Sequence, residues 1–247
     1  ENVWRRRMKL LLENWRKFIN EEYEPITTLR IFDFDETIAH TKSTTKIWYP
    51  GRSSIKNPTE PDEILADQEA FDKFMKSAAE REGIDSFDPI NDLQDLGYEI
   101  NLDDYSVVIE PDEITVVTDI MRNFPEDSKT YIMTARRGNA LGPIMNYLDE
   151  IGIDSNQVRP IATQGESKGD VIAHMIGQKI MDDGKSNINR IEYYEDSEKN
   201  IVDVKLKVCD NPELNEIKPD NFELIIYKVV GFEAGHDRRY ELEPVSC

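Results

Sequence analysis

The sequence predicts an α/β fold in which a mainly parallel sheet carries helices on both faces. Three observations support this fold class: an apolar run at 28–34 leads into acidic residues, apolar runs and helical patterns alternate from residue 113 onward, and the composition is typical of a globular protein, with 38% hydrophobic and 32% charged residues. Helices between successive strands indicate parallel pairing. Ligands of such folds bind outside the carboxyl ends of the strands, so polar residues that directly follow strands are candidate site residues.

The length and composition limit the class of protein. A chain of 247 residues suits one α/β domain with an insertion, or one large and one small domain. No apolar run approaches the ~20 residues of a membrane-spanning helix, and we expect no secretory signal. The two cysteines, Cys209 and Cys247, provide no disulfide framework, so a cytoplasmic location is expected.

The formal net charge of −20 limits the partners. Such a surface repels nucleic-acid phosphates at long range, so we expect no extensive nucleic-acid binding. A small phosphorylated substrate, including a nucleotide or a nucleic-acid end, stays compatible if a metal ion and a few local cations hold it. Solubility alone is the simpler explanation of the charge.

The first 24 residues form a segment of their own, in which residues 1–22 fit an amphipathic helix. Its apolar side chains recur at intervals of three and four, as a single helix face requires. A membrane-surface or partner-binding helix would have this pattern, but packing against the rest of the chain is the favoured interpretation. The apolar residues are Trp4, Met8, Leu11, Leu12, Trp15, Phe18 and Ile19.

The remaining elements follow in order. Residues 28–34 fit a buried strand, and the acidic, proline-containing stretch 42–112 is too long for a simple loop, so it is predicted to be an inserted small domain or lid with a helix near 62–82. The core is therefore expected to comprise 25–41 and 113–247. In it we expect helices at 113–123, 139–151, 168–181 and 197–206, and strands at 129–134, 157–162, 190–194 and 222–230.

Polar residues at the ends of these strands have the chemistry for phosphoryl transfer. Asp33, at the end of the first strand, can attack phosphorus and form an aspartyl-phosphate. Asp35 can protonate the leaving oxygen and later accept a proton from water. Thr134 can donate a hydrogen bond to a phosphoryl oxygen, and Lys168 can neutralise the charge that develops during transfer.

Several carboxylates in one crevice repel each other and a phosphate, and a hard divalent cation resolves both conflicts. We therefore expect Mg²⁺, held by Asp33 and Asp196 and by a backbone carbonyl near Asp35. Thr37 and Arg136 are candidates for binding the substrate, Arg136 through a second phosphate or a carboxylate. Simpler interpretations exist, since acidic pairs occur on solvated turns, Glu195-Asp196 suits a helix cap, and Arg136-Arg137 suits a surface pair.

At these residues the sequence resembles the haloacid dehalogenase-like (HAD) superfamily of phosphotransferases. The first motif of that family matches Asp33, Asp35 and Thr37, the second matches Thr134, the third Lys168, and the fourth Glu195-Asp196. The resemblance implies a Rossmannoid three-layer sandwich whose central parallel sheet has the nucleophile strand in the middle, an inserted cap at 42–112 between the first and second motifs, and magnesium-dependent phosphatase activity. Glu36, often Gly in the family, and Asn200, often a second Asp, depart from the pattern.

Two other functions stay open from the sequence. A nucleic-acid end (3′) phosphatase of a repair system would use the small basic cluster Lys42, Lys46, Arg52 and Lys56 at the start of the insertion. A catalytically silent HAD-like binding or structural protein would use the amphipathic N-terminal segment. The run at 11–18 also resembles the openings of some proteins of large tailed phages, and a phage origin would favour nucleotide or nucleic-acid substrates.

Overall fold

The structure is a computed structural model that describes residues 26–51, 60–66, 68–85, 89–179, 184, 186–234 and 237–246. The predicted amphipathic helix at 1–22 lies outside the described residues. Within the described ranges no helix is long and apolar enough to cross a membrane.

Strands and α-helices alternate between residues 112 and 204 of the described chain, and consecutive strands or helices occur outside that range. The strands are β1 (Thr28–Phe32), β2 (Ala39–His40), β3 (Thr45–Trp48), β4 (Glu63–Leu65), β5 (Glu99–Asn101), β6 (Asp112–Glu113), β7 (Ser128–Thr134), β8 (Val158–Ala162), β9 (Arg190–Glu195), β10 (Glu223–Ala234) and β11 (Asp237–Ser246). The α-helices are α1 (Gln68–Glu82), α2 (Pro89–Asp95), α3 (Thr115–Met121), α4 (Leu141–Glu150), α5 (Lys168–Gly177), α6 (Glu198–Val204) and α7 (Pro212–Ile217). A π-helical turn, Lys205–Cys209, continues α6.

The main sheet has six strands in the order β11-β10-β9-β1-β7-β8. β1 pairs in parallel with β7 on one side and with β9 on the other, and β8 and β10 extend the parallel set. Only β11, at the edge, is antiparallel. The predicted α/β class with a central, mostly parallel sheet is therefore confirmed, and the carboxyl ends of β1, β7 and β9 lie side by side.

Both faces of this sheet are covered by helices, because its strands are apolar on both sides. On one face Ile144 and Leu148 of α4 and Val117 of α3 join the cluster around Phe32. On the other face α5, α6 and α7 contribute to the cluster around Ile31, with the side chains Ile172, Ile176, Ile201, Val204 and Leu214. Burial on both faces fixes the rotation of β1 and, with it, the direction of the residues that follow.

The segment between β2 and β6 forms a second, smaller structure. β2 and β6 pair antiparallel, so the chain leaves and returns at the same place. Between them β4, β3 and β5 form a three-stranded sheet on which α1 and α2 pack. Its own apolar cluster comprises Ile47, Phe71, Phe74, Met75, Ala78, Leu93, Tyr98 and Ile100. The predicted helix at 62–82 is thus a short strand followed by α1.

The C-terminal part differs from the sequence prediction at two points. The strand predicted at 222–230 is present as β10 and is followed by β11, which the sequence analysis does not include. Cys209, at the end of the π-helical turn, is disulfide-bonded, although the sequence predicts no disulfide framework.

Candidate functional site

The residues predicted from the strand ends come together at one edge of the main sheet. Asp33 follows β1, Thr134 ends β7, and Glu195 ends β9 with Asp196 directly after it. Lys168 opens α5, which packs on the face of the sheet that carries Ile31. Because β1 lies between β7 and β9, the Asp33 side chain occupies the middle of this group.

Lys168 joins two of these carboxylates. Its Nζ atom lies 2.5 Å from Asp33 Oδ1 and 2.7 Å from Glu195 Oε2, and all three side chains are buried. Burial lowers the pKa of the Lys168 ammonium, but Asp33 and Glu195 overcome this effect, and its pKa is raised above the ordinary value. Lys168 is therefore a fixed positive charge beside the Asp33 carboxylate.

Local packing at the start of α5 places this lysine. The Ser167 hydroxyl caps the helix by accepting from Asp170 N at 2.9 Å, and it donates to the Asp203 carboxylate of α6 at 2.8 Å. Gly169 N donates to the same carboxylate at 2.8 Å. A Cβ atom on Gly169 would lie only 2.7 Å from the Asp203 carbonyl oxygen, so glycine permits the close approach of α5 and α6.

Glu195 is a site residue that the sequence analysis did not select, although it noted the pair Glu195-Asp196. Glu195 Oε2 accepts from Lys168 and from the Tyr193 hydroxyl, and Oε1 accepts from Ser197 N at 3.1 Å. Both carboxylate oxygens are thus bonded within the protein, and Glu195 orients Lys168. The sequence feature that could have identified Glu195 is strand alternation, which places residues 193 and 195 on one face of β9.

Asp33, Glu195 and Asp196 could hold a cation, since one carboxylate oxygen from each lies within 4.8 Å of the others. Burial and the negative charges of Glu195 and Asp35 raise the pKa of Asp33 to about 8, against the opposing effect of Lys168. Burial, Glu195 and Asp33 raise the pKa of Asp196 well above its usual range. When ionised, these three carboxylates carry more negative charge than Lys168 balances, and their oxygens suit a hard cation. The Asp35 side chain is not part of this group among the described residues.

Asp35 instead forms a bidentate ion pair with Arg136. Arg136 Nε donates to Asp35 Oδ2 at 2.8 Å and Nη2 donates to Oδ1 at 2.6 Å. The Thr41 hydroxyl also donates to Oδ1, at 3.0 Å. Asp35 lies two residues after Asp33, directly before Glu36, whose φ of 55° marks a tight turn.

In the structure the two predicted substrate-binding residues, Thr37 and Arg136, form hydrogen bonds to carboxylates of the site. The Arg136 guanidinium is buried and donates hydrogen bonds to Asp35, to two hydroxyl groups and to two backbone carbonyls, so its donors are occupied here. The neighbouring Arg137 is exposed. The buried Thr37 hydroxyl donates to Asp196 Oδ1 at 3.3 Å. Substrate binding by Thr37 and Arg136 stays a prediction, and Thr37 has a visible role in orienting Asp196.

Thr134 is buried at the end of β7. Its hydroxyl oxygen accepts a hydrogen bond from Arg136 N at 3.1 Å, and its carbonyl accepts from Thr163 N at 2.8 Å. These bonds fix the side chain with its oxygen already used as an acceptor. The hydroxyl proton is then the group that Thr134 can offer to an anion.

Comparisons with known proteins were made for the whole chain. No protein-family model and no curated protein matches it. Two crystal structures of the Legionella pneumophila effector Ceg4 are similar to this chain, one with an N-terminal TEV protease cleavage sequence and one with an N-terminal yeast Hog1p sequence. Their identities are 14% and 13%, both TM-scores are 0.37, and the alignments cover 85% of this chain and 89% and 90% of theirs. A likeness at this level indicates nothing about function.

Proposed function

We propose that this protein is a Mg²⁺-dependent phosphohydrolase of the HAD-like type, which cleaves phosphate monoesters through an aspartyl-phosphate on Asp33. The observation that carries the proposal is the bridge formed by Lys168 between Asp33 and Glu195 at the carboxyl ends of adjacent parallel strands. A buried cation beside a candidate nucleophile, with Asp35 and Asp196 nearby, is what transfer of a dianionic phosphoryl group requires.

The topology supports the same proposal. β1, which Asp33 directly follows, lies between β7, which ends in Thr134, and β9, which Asp196 directly follows, as the resemblance implies. The smaller structure between β2 and β6 enters the chain between the first and second motifs, and we propose that it is a substrate-selecting cap.

In the proposed first step Asp33 attacks phosphorus through Oδ2, which has no hydrogen-bond partner among the described residues, since Lys168 already binds Oδ1. A bond forms between Asp33 and phosphorus, and the bond to the leaving oxygen breaks. The protonated form of Asp35 gives that oxygen its proton, so the alcohol leaves and Asp35 becomes ionised. In the second step Asp35 takes a proton from water, the water oxygen bonds to phosphorus, and the acyl-phosphate bond breaks. The products of the two steps are the alcohol and inorganic phosphate, with the Asp33 carboxylate and the protonated form of Asp35 regenerated.

The residues present fit a divalent cation. When all four are ionised, Asp33, Asp35, Glu195 and Asp196 bring four negative charges. Lys168 and Arg136 bring two positive charges, so one divalent ion balances the group. Glu195 already uses both oxygens within the protein, which leaves Asp33 and Asp196 to hold the ion. Mg²⁺ in that place supplies charge neutralisation for a bound phosphate.

The described contacts give no support to the nucleic-acid end phosphatase. Lys42 pairs with Glu110 at 2.6 Å and Lys46 pairs with Asp104 at 3.3 Å, so these two members of the basic cluster have acidic partners. Arg52 and Lys56 lie outside the described residues. A catalytically silent binding protein would not need the buried charge arrangement around Lys168, whose assembly costs desolvation free energy.

The test is release of phosphate from a generic aryl phosphate, with Mg²⁺ and with a chelator, by the wild type, Asp33→Asn and Asp119→Asn. Asp119 is a matched control because its side chain is 73% exposed on α3, away from the strand ends. We expect Mg²⁺-dependent turnover that Asp33→Asn lowers by roughly 10³-fold or more and Asp119→Asn leaves unchanged.

Failure would have a clear form. If the folded wild type with Mg²⁺ released no phosphate from the aryl phosphate, or from nucleotides, sugar phosphates and 3′-phosphorylated oligonucleotides, the binding role would replace the proposed function. Equal turnover by the wild type and Asp33→Asn would remove Asp33 as the nucleophile.

A further inference from the structure

Arg136 has a position that phosphate binding does not explain. It lies two residues beyond the end of β7, and only 4% of its surface is exposed. A buried guanidinium is costly unless its donors are bonded, so the groups around it indicate its role.

One edge of the guanidinium holds the Asp35 carboxylate. Oδ1 accepts from Arg136 Nη2 and from the Thr41 hydroxyl, and Oδ2 accepts from Arg136 Nε. An ionised carboxylate offers about four acceptor positions. Three are filled here, and the remaining position, on Oδ2, is where Asp35 can carry the proton that it transfers. The Asp35 side chain keeps 27% of its surface exposed, so that position can be reached from outside the pair.

The other edge contacts the two linkers of the inserted segment. The outgoing linker is 41–44, between β2 and β3, and the returning linker is 102–111, between β5 and β6. Nη1 donates to the carbonyl oxygens of Tyr105 and Val107, on the returning linker. Nη2 also donates to the hydroxyls of Thr41 and Ser43 on the outgoing linker, at 2.9 and 3.1 Å.

Two aromatic rings also lie close to the guanidinium. Arg136 Cζ lies 5.3 Å from the ring centre of Phe34, in the loop that carries Asp35, and 5.3 Å from that of Tyr105. One side chain thus connects β7, the loop after β1 and both linkers, and its orientation depends on all of them.

We propose that Arg136 is a positioning residue for the phosphoryl-transfer reaction. It orients Asp35 so that Oδ2 can transfer a proton, and it makes this orientation depend on the position of the inserted segment. The inference rests on the proposed function and adds to it, because it states how residues 41–111 act on the acid–base group. When the linkers shift, Arg136 loses its carbonyl partners and Asp35 loses its fixed orientation.

A lysine could not replace this arginine. The planar fork bonds a carboxylate at two points and still reaches the linkers with its third nitrogen, whereas an ammonium is a point charge on a flexible stem. Arg136→Lys therefore keeps the positive charge and removes the positioning. Arg136→Gln removes both, and Arg137→Gln is the matched control because Arg137 is the exposed neighbour.

The experiment compares kcat/KM for a series of aryl phosphates, from dinitrophenyl phosphate to phenyl phosphate. Dinitrophenolate leaves without a proton, whereas phenolate leaves far more readily with one, so only the second depends strongly on a positioned acid. We expect Arg136→Lys and Arg136→Gln to lose roughly 10²-fold on phenyl phosphate, with a much smaller loss on dinitrophenyl phosphate.

A second readout measures the connection to the inserted segment. Hydrogen exchange of the backbone amides at 41–45 and 105–109 should become faster in both Arg136 variants and stay unchanged in Arg137→Gln. Arg136→Lys keeps the experiment interpretable if Arg136→Gln does not fold.

The outcomes separate this inference from the proposed function. A wild type that releases no phosphate from the aryl phosphates, nucleotides, sugar phosphates or 3′-phosphorylated oligonucleotides contradicts the proposed function itself. A wild type that cleaves them, with Arg136 variants that lose equally on every leaving group or lose nothing, contradicts the positioning role. A loss of kcat/KM on phenyl phosphate alone, with unchanged amide exchange at 41–45 and 105–109, contradicts the connection between Arg136 and the inserted segment.

Discussion

At the scale of single residues, the free energy of the site depends on Lys168. Its ammonium is buried and lies within 2.7 Å of carboxylate oxygens from both Asp33 and Glu195. Removing one member of a buried charged group leaves the others uncompensated, which costs more than the pairing itself contributes. Lys168 should therefore be important for stability as well as for activity.

The prediction for Lys168→Met is a loss of about 3–5 kcal/mol in the free energy of unfolding of the metal-free protein, because two buried carboxylates lose their cation. Urea unfolding followed by circular dichroism measures it. Lys228→Met is the control, since Lys228 pairs with Glu198, whose side chain is 66% exposed, and such a pair contributes at most about 1 kcal/mol. Equal losses in the two variants would contradict a buried charge arrangement.

The residues at the strand ends could be predicted from sequence because an apolar strand fixes where the next polar side chain lies. Asp33, Thr134, Lys168 and Asp196 are brought to one edge of the sheet as expected. The partnership of Arg136 with Asp35 could not be predicted, since it joins residues 101 positions apart through linkers of the inserted segment. Periodicity contains no information about such a contact.

At the scale of elements, the position of α5 depends on its contact with α6. The contact is made at Gly169, where a Cβ atom would lie 2.9 Å from Lys207 Cβ and closer still to the Asp203 carbonyl. Gly169 directly follows Lys168, so any shift that relieves the crowding also moves the lysine.

Gly169→Ala should lower the free energy of unfolding by about 1–3 kcal/mol through overpacking, and it should reduce kcat by displacing Lys168. Gly177→Ala, in the last position of the same helix, meets no atom within 4 Å and should be neutral or stabilising by up to about 1 kcal/mol. Thermal unfolding and phosphate release measure both effects. A Gly169→Ala protein as stable and active as Gly177→Ala would contradict the close approach.

The elements that the sequence analysis missed share a physical reason. The strands β3, β4 and β5 have four, three and three residues, too few for alternation to be visible. The edge strand β11 carries charged residues along most of its length and pairs with β10 alone. Charged edge strands avoid pairing with other chains, so their sequences resemble loops.

At the scale of the whole molecule, the charge of −20 has two separable consequences. Repulsion among surface carboxylates destabilises the compact state, and any salt reduces it by screening. Binding of Mg²⁺ to the folded site is a further, specific effect that screening does not supply.

Mg²⁺ should therefore raise the unfolding temperature more than NaCl does at the same ionic strength. At a concentration one hundred times the Kd the specific part is about 2.7 kcal/mol. Asp196→Asn should abolish the difference between the two salts, whereas Asp119→Asn should keep it, because Asp119 lies outside the carboxylate group. Identical curves for the two salts in the wild type would contradict a specific cation site.

The central claim is that Asp33 carries the phosphoryl group during turnover. The most direct measurement is mass spectrometry of the acid-quenched Asp35→Asn protein after incubation with dinitrophenyl phosphate and Mg²⁺. The activated substrate still phosphorylates Asp33 while the loss of Asp35 slows hydrolysis of the intermediate. The account predicts one phosphoryl group on the peptide that contains Asp33, absent when Asp33→Asn is added. Turnover by the wild type with no phosphorylated peptide in the variant, or with the group on another residue, would contradict it.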